Sequence, residues 1–488
     1  MNKLHVAIDL GGSHGRISVG GANQGLDNIY NFDTRYGVIN KNVYWEILSM
    51  FQEIKTGLKL AYKKYGKEIT SIGFDTWGVD YGLLDEKGQL LTLPSHFRDP
   101  RTLSVMEEVI EKVGGEEKIF KMTGIDKESF NTIYQLYETK INRPQLFSCV
   151  KHYLSIPDLF GYWFTGIMES ERTHASTTQL YNPFTKEWNW EIIEALDFPK
   201  SIFSPLVNSG TIRGEILPEV AKELGIDSKI VFINCAEHDT ASAVSTIMDG
   251  SEKNTMFISS GTWSLVGCFL KEPIVTLEAY KKRFTNEATA NGSIRLLRNV
   301  MGMLIQHECI KCWKDMGKDT SFERLDKMTN KEEDFEGIIN PLAEVFLPPN
   351  SIGGPMLDRI DKWCKINNQK IPKNEGQYMI AVYKGLAKTY KDTLIELQKI
   401  TNITFDKIHI VGGGSKNWIL NQMTADECNL KVVAGPSEAS SLGNINMQMI
   451  AMGETQNISE GLSLLKDEMN IKYFLPKKTG VTNGNLFR

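Results

Sequence analysis

The sequence predicts an α/β fold built as two lobes with a cleft between them, and three stretches carry that prediction. Midway along the chain the apolar run Val231-Phe-Ile-Asn-Cys235 gives way to Glu237-His238-Asp239-Thr240, followed by the small residues Ala241, Ser242 and Ala243. On either side lies another apolar run ending in a glycine turn, Val6-Ala-Ile-Asp-Leu-Gly-Gly12 before it and Met256-Phe-Ile-Ser-Ser-Gly-Thr262 after it. In open α/β sheets the reacting groups gather beyond the carboxyl ends of the strands, so an acid delivered to such an end is a candidate catalytic base. Asp239 is that acid, although an Asp after a strand also serves as a helix N-cap.

Taken in order, Leu4 to Ile8 reads as a strand, Asp9-Leu-Gly-Gly-Ser-His-Gly-Arg16 as a turn, and Ile17 to Gly20 as a second strand. A hairpin at this place differs from the two phosphate loops that lead into a helix, and neither GxxxxGK[ST] nor GxGxxG is present. Glycines still let backbone N–H groups close on a phosphate. Asp9 beside such a turn would repel a nucleotide without a divalent cation between them, and Mg²⁺ is commonly held through one or two carboxylates.

Residues 44–65 place Ile47, Phe51, Ile54, Leu58, Ala61 and Tyr65 at steps of three and four before Gly66, which predicts an amphipathic helix with a glycine stop. The next strand, Ile69 to Phe74, ends in Asp75-Thr-Trp-Gly-Val-Asp-Tyr81. An indole face suits a sugar ring and carboxylates suit its hydroxyls, with core packing of Trp77 as the even alternative. Leu83 to Leu91 reads as a hairpin turning on Asp85 to Gly88, residues 100–225 read as mostly helical, and Thr173 to Gln179 form a small, polar, loop-like run. Asp249 to Asn254 is the polar segment placed to serve as a hinge, which divides the chain into domains 1–248 and 249–488. Phe257 to Val266 then repeats the strand-turn-strand grammar of residues 4–19, an internal duplication of architecture. Helices are expected at 295–313, 378–400 and from Asn417 and Glu438, with strands running from Ile408 into Gly412-Gly-Gly414 and over Lys431 to Ala434.

Composition narrows the function classes. With 488 residues, 41% hydrophobic and 24% charged, the chain has ample core for two large domains. A net charge of −5 offers no basic excess for a nucleic-acid partner. No apolar run approaches the ~20 residues that span a bilayer, and a strand beginning at Leu4 leaves no room for a signal peptide, so the cytoplasm is the expected location. Seven cysteines without framework spacing exclude a disulfide scaffold, and Cys309-Ile-Lys-Cys312 reads as two helix cysteines rather than a metal motif.

Three glycine turns after strands, an acid in the first and no P-loop consensus resemble the actin, hexokinase and Hsp70 type of ATPase, which implies two ribonuclease H-like domains. Within that group the chain is similar to the FGGY carbohydrate kinases. The residues that carry the resemblance are Ala7 to Arg16, Gly73-Phe-Asp-Thr-Trp-Gly-Val-Asp80, Thr123-Gly-Ile125, Phe130 to Leu136, His238 to Val244, Ser259 to Ser264, Thr285-Asn-Glu287, Leu297 to Gly302, Val411 to Gly414 and Ala434 to Ala439. They span residue 4 to about 453 in order.

The resemblance implies an enzyme that phosphorylates the 1-hydroxyl of a ketose with ATP and Mg²⁺, L-rhamnulose being the expected substrate. Fuculose, xylulose or ribulose are the alternatives, and an actin-like nucleotide switch is a rival from another class. By the same resemblance Asp239 accepts the hydroxyl proton, with His238 and Thr240 beside it and Gly78 lining the sugar site. Gly12, Ser13, His14, Gly15, Arg16, Thr262, Asn299 and Gly413 would bind ATP, Asp9 would hold the metal, and lobe closure would exclude water. Gly12 stands where the family often has Ala and His14 where it usually has Ser. His307 stands where a nucleotide-contacting Gln is usual, with Gln306 one residue early. A monomer or small homo-oligomer is expected.

Overall fold

The strand Leu4–Leu10 (β1) is buried on both faces, the mark of a central strand covered on each side. It lies inside a six-stranded sheet with His14–Gly21 (β2), Gln24–Asp33 (β3), Ile69–Thr76 (β4), Thr211–Glu215 (β5) and Val231–Asn234 (β6), in the order β5-β6-β4-β1-β2-β3. The computed structural model describes residues 3–22, 24–346 and 354–477, so the outermost ends of the two expected domains lie outside the described residues. By contacts the chain forms two compact units. One runs from the N-terminus to Lys253 and includes Gly267–Arg298 and Glu438–Asn470; the other takes Asn254–Val266, Asn299–Ser437 and the stretch from Ile471.

In the first unit β1, β4 and β6 are parallel neighbours, and their register brings functional side chains to one end. Asp9 lies opposite Asp75, and Thr76 bridges to His238. The helix Ile47–Tyr65 (α1) covers this sheet with Ile47, Met50, Ile54, Leu58 and Ala61 and stops at Gly66, as its apolar spacing predicts. Three further helices matter for the site: Arg172–Ala175 (α2), Asp239–Ser245 (α3) and Ala439–Ala451 (α4).

The second sheet holds Thr255–Ser260 (β7), Trp263–Leu270 (β8), Thr285–Ala288 (β9), Ile294–Met301 (β10), Lys407–Val411 (β11), Lys431–Ala434 (β12) and Lys472–Phe474 (β13) in the order β9-β10-β8-β7-β11-β12-β13. From β10 onward this order reproduces β3-β2-β1-β4-β6-β5 of the first sheet. The match extends to strand direction, since β7, β11 and β12 run parallel and β13 closes antiparallel, as do β1, β4, β6 and β5. The duplication read from two strand-turn-strand stretches is therefore one of whole sheets.

One expected helix differs. Residues 294–301 are strand rather than helix, and the helix runs only from Leu304 to Asp315. Ile294, Leu296 and Leu297 fit either period, and pairing of Ile294–Leu297 with β9 decides the outcome. The hairpin from Leu83 to Leu91 forms on the turn at Asp85 to Gly88, with Leu91 N donating to Leu83 O at 2.9 Å and an antiparallel bridge between Leu84 and Leu90, and Tyr81–Leu84 pairs with His152–Ser155 as well. Elsewhere the helix Glu375–Thr401, the helix Trp418–Cys428 capped by Asn417, and β12 fall where the sequence places them. No helix among the described residues is long and apolar enough to cross a membrane.

The closest helix contact in the first unit is α3 against α4. A Cβ on Gly443 would lie 2.0 Å from Ser242 O and 2.6 Å from Ser245 Oγ, which explains the run of small residues after Asp239. Gly443→Ala should therefore destabilise the protein by about 1–3 kcal/mol through overpacking, read as a lower urea midpoint at unchanged m-value. An unchanged midpoint would show that the two helices separate at no cost.

Candidate active site

Asp239 opens α3 just beyond the end of β6, and its carboxylate does not cap that helix, because the N-cap position is His238 and no side-chain cap bond forms. The competing reading of Asp239 as a simple capping residue is thereby set aside. Its side chain is 30% exposed, Thr240 Oγ1 donates to Oδ1 at 3.1 Å, and His238 Nε2 lies 3.5 Å from the same oxygen. Gly78 belongs to the same cluster, since a Cβ there would meet Thr177 Oγ1 at 3.1 Å and His238 Nε2 at 3.3 Å.

His238 is held from behind by a buried ion pair. Glu287 and Arg295 face each other across β9 and β10, and Arg295 donates to Glu287 Oε2 from Nε at 3.2 Å and from a terminal nitrogen at 2.5 Å. The same terminal nitrogen contacts His238 Nδ1. Glu287 Oε2 also lies 3.4 Å from Nδ1, so carboxylate and guanidinium together hold this edge of the ring while Nε2 faces Asp239 and Gly78. Burial raises the Glu287 carboxyl, yet Arg295 and then His238 outweigh it and hold it down at about 2.

The half-buried Asp9 and the fully buried Asp75 form an acid pair. Burial pushes the Asp9 carboxyl up to about 6, with Arg16 lowering it and Asp239 raising it. Asp75 is fully buried and is pushed well above the carboxylate range by burial and by Asp9. Asn444 on α4 donates to Asp75 Oδ2 at 2.7 Å, while Oδ1 has no hydrogen-bond partner among the described residues. Arg16 is paired with Glu438. Between β1 and β2 the Gly12-Ser13-His14 turn is open, with only Phe97 3.9 Å from a Cβ on Gly12, and Thr34 ties it down by bonding Ser13 O and Gly11 O. Gly15, expected with this group, is buried with the Phe32 ring filling its side-chain space.

The 75–81 stretch does not offer its polar atoms outward. Asp80 accepts from Trp45 Nε1 at 2.6 Å, Trp77 Nε1 at 3.0 Å, Phe97 N at 3.1 Å and Gln135 Nε2 at 3.0 Å. Trp77 is buried against Trp45, with ring centroids 4.1 Å apart, so packing and not presentation to a sugar is its role. Val79 adopts φ +68, an unusual conformation for a β-branched residue, held by Thr177 and Thr132 on its N–H and C=O. Beside this stack His96 accepts from Arg98 N on Nδ1, which leaves the proton on a buried Nε2 without a partner among the described residues.

In the second unit the β7–β8 turn is fastened to the start of the helix Leu304–Asp315: Met303 N donates to Gly261 O at 3.1 Å and Leu304 N to Thr262 O at 3.2 Å. Gly412 has φ +82 and its N–H donates to Pro436 O, while Gly414 packs so closely on Ser260 that a Cβ would fall 2.0 Å from its Oγ. Gly413 between them is exposed with open space around it, and Asn299 is half-buried on β10. Gln306 is buried and its Oε1 lacks a partner among the described residues, whereas His307 is exposed. Cys309 is buried and Cys312 half-buried on the same helix. Among the described residues no group of three or more His, Cys, Asp or Glu is placed to hold a metal ion.

The N-terminal domain of the FGGY family of carbohydrate kinases matches residues 4–245, and its C-terminal domain matches residues 256–452. The chain belongs to the FGGY family of carbohydrate kinases. The rhamnulokinase of Oceanobacillus iheyensis is 35% identical over 474 residues, covering 96% of this chain and 98% of that protein. That of Halalkalibacterium halodurans is 37% identical over 472 residues, again 96% and 98%. Among solved structures, a ligand-bound xylulose kinase from Lactobacillus acidophilus superposes with a TM-score of 0.78 at 17% identity over 97% of this chain and 94% of that one. Plasmodium falciparum glycerol kinase with ADP gives 0.78 at 14%, over 98% and 95%. This FGGY kinase is thus an ATP-dependent sugar kinase with the two-domain fold of its family.

Several residues that shape this FGGY site escape a reading by sequence. Asn444 lies inside a helix whose return to the first sheet leaves no local signal. Glu287 stands in a recognised motif but its role depends on Arg295, which becomes visible only once 294–301 is seen as a strand paired with β9.

Because the folded Glu287 carboxyl lies below its ordinary 4.5, the stabilisation it lends is complete above that pH and is lost as the pH falls toward about 2. Removing Arg295 leaves that carboxylate buried and unpaired, so Arg295→Met should cost about 3–5 kcal/mol in denaturant unfolding at pH 7. Adding Glu287→Gln should return part of the loss and flatten the acid limb. A single-variant cost below about 1 kcal/mol, the range of an exposed pair, would contradict the buried pairing.

Proposed function

We propose that this kinase transfers the γ-phosphoryl group of ATP to the 1-hydroxyl of L-rhamnulose, giving L-rhamnulose 1-phosphate and ADP, with Asp239 as the base. The observation that carries the reading is a partly exposed carboxylate at the end of a parallel strand that does not cap its helix, flanked by Thr240 and by His238, whose Nε2 lies 3.5 Å from the same oxygen. The choice of sugar is supported by the rhamnulokinase names of relatives that align over nearly the whole chain.

Phosphoryl transfer asks the protein mainly for positioning and charge stabilisation. In the proposed step Asp239 takes the proton from the ketose hydroxyl as its oxygen bonds to the γ-phosphorus, and the bond from that phosphorus to the β-γ bridging oxygen breaks to release ADP. His238 Nε2 hydrogen-bonds a sugar oxygen, and Gly78 leaves room for the ring. The exposed turn of Gly12, Ser13 and His14, with Gly15 and Arg16 following it, serves phosphate in the first unit; Thr262, Asn299 and Gly413 serve the nucleotide in the second.

The residues present suit Mg²⁺. Asp9 supplies hard oxygen donors at the strand end, and the unpartnered Asp75 Oδ1 beside it is the kind of buried acceptor that a hydrated cation satisfies. When bound there, the ion would neutralise phosphate charge.

Asp239→Asn should lower kcat by about 10²- to 10⁴-fold, measured by coupled ADP release, with ATP affinity nearly unchanged in a binding assay; retention of a tenth of the rate would remove Asp239 from the base role. In the same assay L-rhamnulose should be preferred over L-fuculose, L-ribulose, D-xylulose and glycerol, and preference for another sugar would refute the substrate assignment alone. Asp9→Asn should shift half-maximal rate to a higher Mg²⁺ concentration, and an unchanged metal titration would dismiss its metal role.

A further inference from the structure

The short helix α2 has two different neighbourhoods. His174 Nε2 meets Trp77 O at 3.1 Å, and Thr173 Oγ1 accepts from His238 N at 3.2 Å, so one side of the helix supports the active-site loops. Arg172, at its start, lines a separate cavity of about 500 Å³ that lies wholly within the first unit and contains none of the residues assigned to sugar or nucleotide. That volume is in the range of small-molecule sites. Its polar lining includes Arg172, Tyr181, Lys186, Asn208, Asn291 and Asn457, and its apolar part comes mainly from Ile294, Met447, Ile450 and Ile458. No Asp or Glu lines it. Arg172 Nε is buried without a hydrogen-bond partner among the described residues, although its terminal nitrogens reach Asn208 and Glu187.

We propose that this cavity is a regulatory site for a sugar phosphate. Arg172 and Lys186 put two cationic side chains on the lining and no carboxylate beside them there; Glu187 lies 3.7 Å from Arg172 and Lys186 Nζ donates to Gly292 O at 2.9 Å, so the excess positive charge on this wall favours an anion, and a guanidinium fork suits a phosphate group. Amide and phenol groups answer hydroxyls, and the aliphatic patch answers the carbon face of a sugar; a bare inorganic anion would leave that part of the cavity unused.

The wall of the cavity is wired to the catalytic loop. Ser209, also in the lining, donates to Glu171 Oε1 at 2.6 Å. The other oxygen of Glu171 accepts from Thr173 N at 2.8 Å and from Glu237 N at 3.2 Å, two residues before Asp239. Met447 lies on α4 one turn from Asn444, which holds Asp75. A ligand that draws on Arg172 and Ser209, or presses on Met447, therefore acts on the backbone before Asp239 and on the acid pair at Asp9. The proposal stands on the cavity and does not rest on which ketose is phosphorylated.

The test is isothermal titration of the full-length protein, carrying Asp239→Asn to prevent turnover and saturated with ATP, against D-glucose 6-phosphate, L-rhamnulose 1-phosphate, inorganic phosphate and D-glucose. At least one sugar phosphate should bind saturably, and Lys186→Ala, a change on an exposed turn, should weaken it roughly tenfold or more, with Arg172→Gln doing the same. With Asp239 intact, that sugar phosphate should shift the KM of the ketose, and Lys186→Ala should abolish the shift while leaving the basal rate unchanged. Failure of both sugar phosphates to bind, binding indifferent to Lys186→Ala, inorganic phosphate binding as tightly, or binding without any kinetic effect would each overturn the proposal.

Discussion

Everything at the active end of the first sheet depends on how closely α4 lies against β1, β4 and α3. Gly443 lets the backbones of α3 and α4 touch, and that approach brings the amides of Asn444 and Gln448 into the sheet. Asn444 then donates to Asp75, and Gln448 donates to Val6 O at 2.9 Å while accepting from Ser71 Oγ at 2.6 Å. Burying a carboxyl without such donors costs several kcal/mol. The helix that supplies them lies some 370 residues further along the chain than Asp75, a separation of 369 for the Asn444 bond. The acid end of the sheet is therefore completed by the last third of the sequence.

Charge allocation follows from that packing. Asp75, Asp158, Glu171, Glu237 and Glu287 are all buried around the Asp239 loop, and the buried Arg213 and Arg295 answer them. Arg295 keeps Glu287 ionised. Arg213 donates to Asp158 Oδ1 at 2.6 Å and to Glu237 Oε1 at 3.3 Å, and burial together with the Asp158 charge pushes the Glu237 carboxyl well above its ordinary range against the pull of Arg213. The Asp75 carboxyl is pushed the same way, by burial and by the nearby Asp9. Like charges at short range cannot all be ionised in a poorly solvated site. The partly exposed Asp239 is distinct from all of these, because its oxygens face Thr240 and His238 rather than a guanidinium.

How much of this is legible in the sequence depends on whether the signal is local. A strand followed by a glycine turn, the period of α1 with Gly66 at its end, and the Asn417 cap are local facts, and each element forms where its residues place it. The acid after β6 is equally local, which is why Asp239 could be singled out. Residues 294–301 fail that condition, because an apolar pattern compatible with either period is settled by a partner strand. Trp77 and Asp80 fail it differently: an aromatic and acidic cluster looks like a sugar site until Trp45, Gln135 and the Phe97 backbone, distant in sequence, take up its polar atoms. The cavity at Arg172 draws its lining from segments far apart in the chain and leaves no pattern to read.

The repeated sheet order shows what duplication kept and what it released. Both sheets place a hairpin with a glycine turn beside two parallel strands and an antiparallel edge. In the first, Asp9 precedes the turn and pairs in register with Arg16, whose guanidinium is bound to Glu438. In the second, the equivalent turn carries no acid, and its carbonyls at Gly261 and Thr262 receive the first N–H groups of the helix Leu304–Asp315. The same backbone device therefore sits in two electrostatic settings, one with an acid before the turn and one without. The turn glycines leave room around them, a Cβ on Gly12 meeting only Phe97 at 3.9 Å and one on Gly261 only Trp263 O at 3.8 Å, so the two settings differ in the side chain before the turn and in what the turn's carbonyls hold.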